Sequence, residues 1–227
     1  MNIEIWYDFG CPFCYIGHKR LKKALEQFDH NNEVKITYQP YQVNKEMPTF
    51  MKLSPTECYS RRHDITLEET LKIFRIYEAI AKEEGLDFSY NHICFTNTLD
   101  AHRLMAFAKT MDKEDVVFEL IMKAYFEQGI NIALKDNLYD IAEKADLPIE
   151  MVKEVMTSDR YSKNVEANKQ LSKQIGIQGV PFYVIDGEYG ISGAQDSEYF
   201  LKLLKSIWQQ NHTQNTVNKL HTIQKSY

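Results

Sequence analysis

Cys11-Pro12-Phe13-Cys14 brings two nucleophilic side chains within three residues of each other. On a helix that spacing puts both Cβ atoms on one face, roughly 5–6 Å apart. Bridged cysteines need a separation of about 3.5–4.5 Å, so a modest adjustment closes a disulfide and the pair reads as a redox switch. If Cys11 is the helix N-cap, Pro12 falls at N1, where its missing N–H and fixed φ cost nothing. The N–H groups of Phe13 and Cys14 then point back toward the Cys11 sulfur, and the partial positive charge of the helix end stabilises a thiolate there. That effect reaches ~2 kcal/mol at a partly buried terminus. Neither Pro12 nor Phe13 adds a cation, and His18 lies about 10 Å up the helix, near the screening length at physiological salt. A middling redox couple is expected, not a strong oxidant.

Elements on either side must hold this pair. Ile3–Phe9 reads as a strand and Tyr15–Phe28 as an amphipathic helix, so the dithiol sits at a strand-to-helix junction. Val34–Tyr38 alternates as a second strand. Strand signals then vanish for over a hundred residues. Leu67, Leu71, Phe74, Tyr77 and Ala81 repeat at helical spacing, as do Val117, Leu120, Ile121, Ala124 and Tyr125. Further helices are predicted at about 98–111, 135–145, 148–157 and 160–175. Strand character returns at Pro181–Ile185, turns at Asp186-Gly187, continues around Tyr189–Ser192 and gives way to a helix at about 196–209.

The order β–α–β, helical block, β–β–α predicts an α/β protein: a thioredoxin-like fold with an inserted all-helical domain. The expected division is residues 1–50 and 177–210 for the thioredoxin-like part and 51–176 for the insertion. A polar C-terminal arm at 211–227, with Val217, Leu220 and Ile223 spaced along it, is expected as a frayed helix or a loosely docked segment.

Composition narrows the function classes. The chain has 227 residues and a net charge of -5, which gives no electrostatic footprint for nucleic acid or an anionic membrane. No apolar run approaches the ~20 residues of a membrane helix. The N-terminus lacks a signal-peptide pattern, so a cytoplasmic location, where thiols stay reduced, is expected. Four cysteines are too few for a disulfide scaffold. Cys58 and Cys94 stand alone and read as small buried hydrophobes.

Four motifs in order add a resemblance. Cys11-Pro12-Phe13-Cys14-Tyr15-Ile16-Gly17, Asp100-Ala101-His102-Arg103-Leu104, Gly179-Val180-Pro181-Phe182 and Ser192-Gly193-Ala194-Gln195 resemble the DsbA-like thioredoxin superfamily. Within it they look most like the FrnE-type branch of predicted dithiol-disulfide isomerases. The resemblance covers roughly residues 1–205, and it departs at Phe13, where that branch often has Trp. It implies that Cys11 is the nucleophile and Cys14 the resolving thiol. It also implies a cis Val180-Pro181 bond in a loop facing the dithiol, with Pro12, Phe13, Val180 and Pro181 touching substrate. By the same resemblance the helix at Asn97, His102 and Arg103 faces the cleft, where these residues could bind substrate. The bland reading of those three is a cap and a domain-bridging polar face.

Other residues weigh less. Asp8 either assists proton transfer or caps the strand end. Trp6 and Phe9 read as core, Phe13 as a contact residue. A zinc site at Cys11 and Cys14 would need Cys58 with His63, or His92 with Cys94, at spacings that match no usual knuckle. No metal or cofactor is expected, apart from glutathione as a possible reductant. Expected partners are disulfide-containing proteins or small thiols, with oligomeric state open. Two rivals remain. One is a glutathione-dependent transferase or isomerase of the kappa or hydroxychromene-carboxylate type, which typically has Ser at the Cys11 position. The other is a peptide-binding chaperone without turnover.

Overall fold

A computed structural model describes the backbone of residues 1–224 and the side-chain surroundings through residue 211. Four strands form one mixed sheet: β1 (Asn2–Tyr7), β2 (Lys35–Pro40), β3 (Phe182–Ile185) and β4 (Tyr189–Ser192), in the order β2-β1-β3-β4. β1 runs parallel to β2 with Ile3 opposite Ile36, and antiparallel to β3 with Ile5 opposite Tyr183. The β3–β4 turn uses positive φ at Asp186 and Gly187, as a two-residue hairpin requires.

Nine α-helices accompany the sheet among the described residues. α1 (Pro12–Glu26) crosses from β1 to β2. Between β2 and β3 lie α2 (Pro55–His63), α3 (Leu67–Glu83), α4 (Leu99–Lys109), α5 (Glu114–Phe126), α6 (Lys135–Lys144), α7 (Ile149–Thr157) and α8 (Ser162–Gln174). α9 (Ser197–Gln224) closes the chain. This is a thioredoxin fold with a helical insertion, as the element order predicts.

Two details differ from expectation. α2 is a helix that apolar periodicity passes over, because among its residues only Cys58 is buried. Its signal is local: Ser54 and Glu57 form a reciprocal capping box with Pro55 at N1. At the other end, α9 carries the helix past residue 209 to Gln224. Docking of the expected arm, which rests on Val217, Leu220 and Ile223, lies outside the described side chains.

One apolar core runs from the sheet through α1 and α9 into the insertion, joining Ile3, Ile5 and Tyr183 to Phe107, Phe118 and Ile141. α1 is buried at Cys14, Tyr15, Ile16, Gly17, His18 and Leu21, because the sheet and α9 take one side and α3 and α5 the other. Gly17 makes that approach possible. A Cβ there would stand 2.3 Å from the Tyr183 hydroxyl and 3.2 Å from Ala194 Cα. No described helix is long and apolar enough to cross a membrane.

Candidate active site

β1 ends at Tyr7, and four residues later Cys11 occupies the N-cap of α1 with extended backbone (φ -103°, ψ 114°). Pro12 is at the first helical position, as its missing N–H favours. Two backbone bonds pin the turn: Cys11 N–H donates to Asp8 O at 3.2 Å, and Cys14 N–H to Cys11 O at 3.1 Å. Cys11 and Cys14 are both free thiols, Cys11 half-buried and Cys14 buried. The Cys11 sulfur does not take a capping bond from the first-turn N–H groups. Its thiol donates instead to Val180 O at 3.4 Å. The Val180–Pro181 peptide is cis, and Pro181 stands just before β3, where no ladder donor is lost.

The two sulfurs live in different surroundings. Burial pushes the Cys14 thiol well up, and the adjoining Cys11 sulfur pushes it further. Cys14 is therefore held protonated while Cys11 faces the cavity. That cavity holds about 540 Å³ and is lined by Cys11, Pro12, Phe13, Gly179 and Val180 on one side. Cys58, Tyr59, Arg62, His63, Tyr77 and Tyr90 from the insertion line the other. Phe13 packs edge-on against Tyr77, with ring centroids 5.0 Å apart, and Tyr77 shares a 3.2 Å hydroxyl contact with Tyr59. Trp6 and Phe9 are core residues. Burial raises the Cys58 and Cys94 thiols, which makes both poor nucleophiles.

Asp8 also reaches the cavity wall, but its carboxylate is almost fully engaged. Oδ1 lies 3.1 Å from His102 Nε2, and Oδ2 accepts from Val43 N–H at 2.8 Å. Burial alone would raise its pKa, but the His102 hydrogen bond and charge, with the Val43 bond, hold it below the usual carboxylate range. The Asp8–His102 pair ties the end of β1 to α4.

Three expected substrate contacts are placed elsewhere. Asn97, His102 and Arg103 do not line the cavity. Asn97 accepts from Leu99 N–H at 2.8 Å and Gln42 Nε2 at 2.9 Å, and donates to Met47 O at 2.7 Å, fastening the loop after β2 to the start of α4. His102 is fully buried against Asp8. Arg103 is buried and donates to Asp100 Oδ1 at 2.7 Å and to the carbonyls of Val155, Ser158 and Arg160. It thereby closes the exposed carbonyl end of α7, a structural role that charge and helix-end geometry explain. His18 is no distant cation either. Burial lowers its pKa, so the ring is neutral at pH 7, with Nε2 3.2 Å from Glu119 Oε1.

Sequence reasoning passed over the insertion side of the cavity. Only the capping box at Ser54–Glu57 signals the helix that carries Cys58, Arg62 and His63. Lys169, on α8, reaches the cavity with no local signal at all. Among the described residues no group of three or more His, Cys, Asp or Glu is arranged to hold a metal ion.

Fold and site together define a thioredoxin-fold protein with a helical insertion and a dithiol at the N-terminus of its first helix. The chain belongs to the DSBA-like thioredoxin domain family, which residues 2–205 match. It is 23% identical over 206 residues to the uncharacterized protein YwbO of Bacillus subtilis (strain 168), covering 90% of this chain and 96% of YwbO. The crystal structure of the probable DsbA oxidoreductase SCO1869 from Streptomyces coelicolor superposes with a TM-score of 0.86 at 28% identity, covering 92% of this chain and 90% of that one. A 2-hydroxychromene-2-carboxylate isomerase shares the fold, with a TM-score of 0.65, 15% identity and coverage of 95% and 98%. The same architecture thus hosts different chemistries, and the site residues must discriminate.

Proposed function

We propose that the protein is a thiol–disulfide oxidoreductase of the FrnE type, with Cys11 as nucleophile and Cys14 as resolving thiol. The observation that carries this reading is the asymmetry of the pair: one half-buried sulfur faces the cavity beside Val180, and the other is buried and held as a thiol beneath it. Cys11 thiolate attacks a substrate disulfide and forms a mixed disulfide, releasing one thiolate. Cys14 then loses its proton and attacks the Cys11 sulfur, expelling the second thiolate and leaving a Cys11–Cys14 disulfide. Phe13, Pro12, Val180 and Pro181 shape the surface on which the substrate lies. In a reducing cytoplasm the couple rests as the dithiol, so net activity is reduction or isomerisation.

The hydroxychromene-carboxylate-type and kappa-type alternatives typically have Ser at the Cys11 position and no partner at the Cys14 position, so the presence of both cysteines argues against them here. The test is equilibration in thiol–disulfide buffers of graded potential, followed by alkylation and mass spectrometry. A reversible loss of two thiols mapped to Cys11 and Cys14 is expected. Absence of that disulfide at every potential overturns the proposal.

A further inference from the structure

Charge on the cavity wall is lopsided. The chain carries 32 acidic residues against 27 basic ones, yet the cavity is lined by Arg62 and Lys169 and by a single carboxylate, Asp8. Asp8 is already bonded to His102 and Val43. Neither Arg62 nor Lys169 forms an ion pair among the described residues. Lys169 Nζ lies 3.2 Å from the Tyr41 ring centroid, and the Tyr41 hydroxyl donates to Gln178 O at 3.2 Å, two residues before Val180. Arg62 sits in the last turn of α2 beside Cys58, and its charge acts on that thiol. His63 adds no charge at pH 7, because burial and Arg62 lower its pKa. The free charge on the wall around the dithiol is thus positive, contributed by two elements far apart in sequence.

We propose that Arg62 and Lys169 are specificity determinants that favour a small disulfide carrying carboxylates on its thiol halves. This rests on the dithiol reading above and narrows its substrate class. A volume of about 540 Å³ falls within the range of small-molecule sites. Cations on a cavity wall concentrate anionic ligands and raise their rate of encounter. In the reaction the Cys11 sulfur bonds to one substrate sulfur while the substrate S–S bond breaks, and the released half leaves as a thiolate. Cys14 completes the exchange. The protein dithiol is oxidised to a disulfide, the substrate is reduced to two thiols, and the two thiol protons pass to the products.

Single-turnover rates of the reduced protein would be measured with three disulfides of similar size: 3,3′-dithiodipropionate (anionic), bis(2-hydroxyethyl) disulfide (neutral) and cystamine (cationic). Each rate is divided by that of the same disulfide with dithiothreitol, which removes differences in leaving-group reactivity. The expected order is anionic, neutral, cationic, with a spread of roughly tenfold at low ionic strength that narrows as salt is added. The charge-reversed variant R62E/K169E should invert the order. Equal normalised rates for the wild-type protein, or an order insensitive to salt, overturn the inference while leaving the dithiol reading intact. If the variant does not fold, the wild-type salt series decides. No reaction with any of the three likewise overturns the inference, while the dithiol reading is decided separately by whether the Cys11–Cys14 disulfide forms in buffers of graded potential.

Discussion

The two walls of the cavity are built on different principles. On the sheet side Cys11 is an N-cap and Val180 immediately precedes a cis proline beside β3, so their placement follows from backbone geometry. On the insertion side Cys58, Tyr59, Arg62, His63, Tyr77 and Tyr90 project from α2, α3 and the loop that follows. There the backbone supplies only a frame and side chains decide the surface. The difference teaches that the backbone geometry holding the dithiol and most of the side chains facing it across the cavity belong to separate segments of the chain, joined by packing.

Substitutions that separate the walls sharpen the contrast. Cys11→Ser should lower disulfide exchange by at least about a thousandfold, since an alcohol at neutral pH supplies no comparable nucleophile. Cys14→Ser should instead stall as a mixed disulfide on Cys11, visible as a substrate-sized mass increment. If C14S turned over like the wild type, the asymmetry between the two sulfurs would lose its meaning.

Next in size is the frame. Arg103→Met removes a buried charge that holds Asp100 and three carbonyls, and should cost about 3–5 kcal/mol in denaturant unfolding. The redox midpoint should stay put, because Arg103 does not line the cavity. His102→Ala leaves the buried Asp8 carboxylate without its main partner and should cost about 2–3 kcal/mol at pH 7. The sign with pH is fixed. Asp8 is depressed in the folded protein, so its contribution is present above the ordinary carboxylate value and is lost as pH falls through its folded value. The variant's deficit should therefore shrink only below about pH 4, as unfolding curves at pH 7 and about pH 2.5 would show.

The smallest effect isolates Cys14. Its thiol is raised in the folded state, so the stability it contributes is intact below the unfolded thiol pKa, near 9, and is lost as pH rises beyond it. Reduced protein should lose about 1.4 kcal/mol per pH unit more than the disulfide form over that range. Parallel alkaline melts of the two forms would break the argument.

Legibility followed locality. The strands, the hairpin at Asp186-Gly187 and helices such as α3 and α5 carry periodic or turn signals within a dozen residues, and they stand where those signals predict. α2 has almost no apolar stripe and shows itself only through its cap. In sequence His102 and Arg103 are open between two readings, substrate contact or a cap and domain-bridging polar face. A polar motif on a helix reads either way, and here one side chain satisfies a buried carboxylate and the other a helix end. Charge in sequence does not say whether water or protein receives it.

By itself the sequence determined the dithiol, its place at a strand-to-helix junction, and the α/β frame with its helical insertion. Each depends on neighbours a few residues apart, where spacing and backbone preference act directly. Tertiary structure alone decided that Asp8 pairs with His102 across 94 positions and that Cys14 is buried while Cys11 faces the cavity. It also brought Arg62 and Lys169 to the same cavity. Burial and distant charge are properties of packed elements, and no local pattern encodes which surfaces will meet.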